Sequence, residues 1–170
     1  MSDIETHPVF VEGLRLLGQS PEDLRVLSAA LQDSVLRLGD IQYDAKRCML
    51  TLLVNRYCWE RKSEDASGWW PFGAKRTGYR VRSAIQFGDV RKLERRNLKH
   101  GQPDAVVSLM DLDFTPALRA DPEDGPVTSG TLLLRFAGDA DLRLTLDCID
   151  VILADVSAPW AASRMPEHRI

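Results

Sequence analysis

Cysteine is scarce and odd in number, three in 170 residues (Cys48, Cys58, Cys148), with no Cys-x-x-Cys pair. That excludes a disulfide framework and a thiolate zinc site, and the thiols, set within apolar runs, are expected to be free and buried. Histidine is equally sparse. His7, His100 and His168 lie near the termini or in a Gly101-flanked loop, and no nucleophile-elbow motif accompanies them. Acyl-transfer chemistry needs a positioned base beside its nucleophile, so it has nothing to rest on here. No apolar run approaches the roughly 18 residues of a membrane span. The opening MSDIETHP carries neither the charged nor the apolar region of a secretory signal. A soluble, cytoplasmic protein with no membrane partner is expected. The stretch Gly68–Thr77 (GWWPFGAKRT) falls short of a phosphate-cradling loop, because Ala74 intervenes after the second glycine and Arg76 separates Lys75 from Thr77. No catalytic residue, metal ligand or cofactor is assigned.

What is present is an ordinary globular composition, 44% hydrophobic and 28% charged, well outside the disordered regime. A single domain over residues 1–160 with a flexible tail, 161–170, is the expectation. The net charge of −3 hides an uneven distribution. Between Arg56 and Lys99 there are 12 Lys/Arg against 5 Asp/Glu, a local charge of +7, and the remainder carries −10. A basic middle lies between acidic flanks.

One helix is legible. Ser20 can cap it, Pro21 suits the first helical position, and Glu22 and Asp23 favour the positive end of its dipole. Leu24, Leu27, Ala30 and Leu31 recur at helical spacing to about Gln32. Leu14–Leu17 precedes it as an edge strand. The rest reads as β: Val35–Tyr43, Cys48–Trp59, Tyr79–Leu93 with Gly88-Asp89 as a bulge or turn, Ala105–Phe114, Thr131–Ala137 and Leu142–Leu153. The last two flank Gly138-Asp139, a strong hairpin signal. The apolar phase of the final run slips by one residue, which predicts a bulge near Asp147–Ile149.

The fold class is therefore α+β and mainly antiparallel. One N-terminal helix packs on six or seven strands in a curved or barrel-like sheet, whose closure removes free edges. Pro159-Trp160 is expected to plug the open edge. Val35, Leu38, Asp40, Ile41 and Tyr43 match Val106, Leu109, Asp111, Leu112 and Phe114 at a constant offset of 71. This raises a reading of two similar three-strand halves against ordinary strand patterning.

The basic middle is interleaved with aromatics, and its candidate binding residues are Arg56, Trp59, Trp69, Trp70, Arg76, Arg80 and Arg82. Guanidinium groups and aromatic rings dominate protein contact sites. The first reading is a non-catalytic interaction or adaptor protein using the Trp59–Arg82 surface, with a protein partner or a second copy. The alternative is nucleic acid or a phospholigand on the same surface, since guanidinium binds phosphate and rings stack on bases. The acidic balance of the whole chain argues against general nucleic-acid binding. A third reading is a small enzyme with a pocket formed by Asp147, Asn55 and Arg56, although Asn55, Arg56 and Glu60 also read as a buried polar network at the end of a central strand, a commoner arrangement than a ligand site.

The stretches LRLLGQSPEDLRVLSAALQDSVLRLGDIQYD, LLVNRYCWE and LLLRFAGDADLRLTLDCIDVILADVSAPW carry a resemblance. From Leu14 to Trp160 the chain resembles a family of small uncharacterised alphaproteobacterial proteins defined by a domain of unknown function. The most specific matches are Leu31-Gln32-Asp33, Asn55-Arg56 with Trp59-Glu60, and Pro159-Trp160. The WWPFG stretch departs from the pattern. The resemblance implies a bacterial, cytoplasmic protein and carries no activity or functional residue with it.

Overall fold

The computed structural model describes residues 13–61, 78–118, 125–163 and 166. In order, the elements are β1 (Arg15–Gly18), α1 (Pro21–Leu31), β2 (Ser34–Arg37), β3 (Ile41–Asp44), β4 (Met49–Tyr57), β5 (Tyr79–Phe87), β6 (Val90–Arg96), β7 (Val106–Pro116), β8 (Gly130–Phe136), β9 (Ala140–Leu146), β10 (Val151–Asp155) and β11 (Trp160–Ala161). The mainly antiparallel sheet with one α-helix is as expected. Among the described residues the sheet has eleven strands rather than six or seven.

The extra strands come from breaks that an alternating pattern conceals. The Val35–Tyr43 run is interrupted by a 3-10 turn at Leu38–Asp40, which separates β2 from β3. At Gly88-Asp89 the chain does more than bulge: Asp89 adopts a positive φ of 52°, and β6 leaves β5 altogether to pair with β9. The slip at Asp147–Ile149 is likewise a connection, after which β10 pairs with β5. True register shifts fall instead between Val90 and Lys92 and between Leu109 and Asp111. The hairpin at Gly138-Asp139 forms as expected, with both residues at positive φ (81° and 57°) and Phe136 opposite Ala140.

The helix forms because its signals agree. Ser20 Oγ accepts from the Asp23 N–H, and the Asp23 carboxylate accepts from the Ser20 N–H, a capping box at the N-terminus. Leu24, Leu27 and Leu31 then point into the core. Leu27 Cδ1 lies 2.6 Å from where a Cβ on Gly18 would stand, so any larger residue there would make the Leu27 side chain shift. Ser20→Ala should cost about 1 kcal/mol of stability, read as a shift in urea midpoint at unchanged slope.

The strand order is β1-β10-β5-β4-β2-β7-β8-β9-β6, with β3 on β4 and β11 on β5. The sheet does not close: β1 and β6 end the path. The expected barrel is unnecessary because each edge is blunted another way. β1 has four residues, and β6 (VRKLERR) is densely charged.

The pairing pattern is symmetric about the β2–β7 pair. There Leu36 faces Val107, 71 residues later, the same offset seen in the sequence. On one side follow β4 and β5, on the other β8 and β9. The fourth strand of each set crosses over: Phe87, ending β5, faces Val151, and Leu146, ending β9, faces Val90. A single core cluster joins both sets, including Leu50, Leu52, Ile85 and Phe87 from one and Leu132, Leu134, Leu142 and Leu144 from the other.

Candidate functional site

Arg56 is the seventh residue after Met49 in β4, on the face that also carries Leu50, Leu52 and Val54. Strand alternation therefore turns it inward, and it is 0% exposed rather than part of a basic surface. A buried guanidinium needs partners for five N–H groups. Nε and Nη2 donate to the two Asp155 oxygens at 2.8 Å each. Nη1 and Nη2 donate to the Glu60 carboxylate at 3.0 and 2.6 Å, and Nη1 also reaches the Tyr57 carbonyl at 3.4 Å. The Asp155 carboxylate further accepts the Ser83 hydroxyl at 2.7 Å and the Leu14 N–H at 2.8 Å.

Burial alone raises the Asp155 pKa, but Arg56, Ser83 and the Leu14 amide outweigh it and hold the carboxyl below its ordinary range. The Arg56 hydrogen bonds likewise lower Glu60, against its desolvation. Burial pushes the Cys58 thiol up. The network is filled: Arg56 has no spare donor, and Asp155 holds four donors. Such a cluster ties β1, β4, β5 and β10 together, with the Glu60 carboxylate, 45% exposed at its side chain, as its solvent-facing acid. An open cleft of about 430 Å³ lies over it, lined by Gly13, Leu14, Arg15, Glu60, Arg61 and Asp155.

The other described residues of the basic–aromatic region are partly drawn inward too. Arg80 donates to the carbonyls of Asn55 (2.9 Å) and Asp33 (3.3 Å) and sits over the Tyr57 ring, 5.8 Å from its centroid. Burial lowers its pKa. Trp59 leans on Tyr57, centroids 4.5 Å apart, and its Nε1 donates to the Gln32 carbonyl at the end of α1. Arg82 alone of the four keeps a solvent-facing guanidinium, 3.7 Å from Asp40. Trp69, Trp70 and Arg76 lie outside the described residues.

The enzyme pocket does not assemble. Asn55 and Arg56 are neighbours in one strand and face opposite sides of the sheet. Asp147 is ion-paired with Arg91, whose Nη1 approaches the Cys48 sulfur at 3.7 Å, near the opposite end of β4. From Cys48 to Arg56 that strand runs roughly 26 Å. Among the described residues no group of three or more His, Cys, Asp and Glu is placed to hold a metal ion. No described helix is long and apolar enough to cross a membrane. Ala161 and Ala162, expected in a loose tail, are tied down: Ala161 pairs with Tyr79, and the Ala162 N–H donates to Gly78 O at 2.7 Å. Trp160, expected to plug the open edge, pairs opposite Arg80 on β5, inside the strand path and not on its end strands β1 and β6.

Sequence reasoning missed the contrast between the two outer faces of the sheet. Register fixes which residues share them. Across β4, β5, β10 and β1 run Leu53–Ala84–Ala154–Arg15 and Thr51–Gln86–Ile152–Leu17. Above these lie Val35–Asn55–Arg82 and Tyr57–Arg80–Trp160. Only three of these fourteen residues are charged. Across β6, β9, β8 and β7 the corresponding rows are Lys92–Thr145–Thr131–Thr115, Glu94–Arg143–Leu133–Asp113 and Arg96–Asp141–Arg135–Asp111. Eight of those twelve are charged, and Arg96–Asp141 and Arg135–Asp111 form ion pairs, both at 2.6 Å. The first face also holds exposed large apolar side chains, Leu17 at 62% and Trp160 at 40%. Val106, 66% exposed, borders it in a groove of about 270 Å³ shared with Val35, Leu53, Asn55, Arg37, Asp40 and Arg82. The signal was available in alternate residues of β4, β5 and β10, but it is readable only once the strand neighbours are known.

A family model described as a protein of unknown function (DUF2948) matches residues 14–168. No curated protein and no solved structure matches the chain.

Proposed function

The chain belongs to the DUF2948 family, whose function is unknown, and within that family we propose that it is a non-catalytic, cytoplasmic interaction protein. Its contact surface is the outer face of β4, β5, β10 and β1, reached by Arg82 and Trp160 from the basic–aromatic region. The observation that carries this reading is the shortage of charge on that face beside a densely ion-paired counterpart in the same sheet. Contiguous exposed apolar patches of several hundred Å² mark interaction sites. Burial of Arg56 and the tying of Arg80 to carbonyls weigh against phosphate recognition by the same residues. The reading also takes the symmetric pairing as a duplicated unit, one of whose outer faces has been stripped of charge.

A photo-crosslinking side chain placed at Ala84 tests it in living cells, with the same group at Thr145 as control. The expected result is a protein adduct from position 84 and none from 145. Adducts to nucleic acid at 84, or equal yields at both positions, would reverse the reading.

A further inference from the structure

We propose that the occupant of this face is a second copy of the chain, packed sheet against sheet about a two-fold axis that runs along the strands. The inference rests on the contact surface proposed above and adds its partner.

Composition is the first argument. Transient partners use surfaces about as polar as the rest of a protein, whereas homodimer faces are more apolar and lose charge at their centre. Here the centre is Leu53, Ala84, Ala154 and Ile152, with Thr51 and Gln86 as uncharged polar neighbours. Size is the second. Fourteen positions, spaced about 4.8 Å across and about 6.8 Å along the strands, give a patch on the order of 500 Å² per copy. A pair then buries on the order of 1,000 Å², the lower limit for a specific association.

The third argument is how charge lies at the margins. Arg15 sits on the β1 border and Asp40 on the opposite border beside Arg82. An axis along the strands sets the β1 border of one copy over the β2–β3 border of the other. Each Arg15 then faces the side of the partner where Asp40 pairs with Arg37 and Arg82, and not the partner's Arg15. An axis across the strands would set like borders together. Sheet-on-sheet packing in globular proteins favours such near-aligned strands. A symmetric contact of this kind closes on itself and leaves no further apolar face exposed to grow from.

The test is sedimentation of the full chain across a range of concentrations, with Ala84→Arg and Ile152→Lys at the centre of the face and Thr145→Arg on the ion-paired face. Circular dichroism and melting establish that each variant is folded. The expected result is a wild type and a Thr145→Arg variant at twice the chain mass, with both central variants folded at the single-chain mass. A monomeric wild type at every concentration, or folded central variants that stay dimeric, would overturn the inference. The crosslink at position 84 then separates the two ideas. An adduct with a different protein leaves the interaction reading standing without the self-partner, and the absence of any adduct removes both.

Discussion

Arg56→Ala should lower folding stability by about 3–5 kcal/mol, a large share of what holds a domain of this size together. The cost follows from what is left behind. Asp155 is 6% exposed at its side chain and would keep a buried negative charge with only Ser83 and the Leu14 amide to answer it. Arg56→Lys should recover only part of the loss. An ammonium is a point charge and cannot face two carboxylates along two edges as the planar guanidinium does. Removing both partners is the informative control: Arg56→Met with Asp155→Leu takes the charges out together, and it should be markedly more stable than Arg56→Ala.

The pH dependence carries a definite sign. Asp155 and Glu60 both have folded pKa values below their ordinary ones. Their contribution is therefore fully present above the unfolded carboxylate values, near pH 4, and is lost as pH falls through the folded values. Wild-type stability should drop steeply in that acid window, and the double variant should show a shallower drop. Guanidinium melts at pH 7 and pH 3.5 measure both effects. An Arg56→Ala loss below about 1 kcal/mol would mean that the network is not holding the four strands.

How much of this was legible depended on the range of the signal. α1 was readable to within one residue because Ser20, Pro21, Asp23 and the leucine spacing are all local. The Gly138-Asp139 hairpin was readable for the same reason. The breaks at Leu38–Asp40 and at Gly88-Asp89 were not, since apolar alternation continues across both and only the change of partner strand reveals them. The inward turn of Arg56 follows directly from the phase of Leu50, Leu52 and Val54. Its basic neighbours in the sequence drew it into a surface patch, whereas the rival reading, a buried network with Asn55 and Glu60, is met as far as Glu60. Asp155, its main partner, lies 99 residues away, and no local pattern couples the two. The contact face is hidden for a related reason. Ala84, Ala154 and Leu53 are unremarkable singly, and they form a patch only through the registers of β4, β5 and β10.

Phe87→Ala should cost about 3–5 kcal/mol and Leu146→Ala about 2–5, and each should still give one cooperative transition. The two residues hold corresponding places. Each ends the third strand of its set, each is nearly or fully buried, and each faces the first residue of the crossing fourth strand, Val151 for Phe87 and Val90 for Leu146. A cavity at either position loosens a strand that belongs, by chain order, to the other set. Neither set can open alone while its own fourth strand is held in the other's sheet, so local damage is felt by the whole core. With Trp69 and Trp70 replaced by phenylalanine, tryptophan emission reports on the neighbourhood of β4 and β11, where Trp59 and Trp160 lie, while far-ultraviolet circular dichroism reports on the sheet as a whole. The two signals should change together in both variants. Separate midpoints, with the fluorescence transition unmoved by Leu146→Ala, would show that the two sets of strands fold independently and that the crossover does not bind them into one unit.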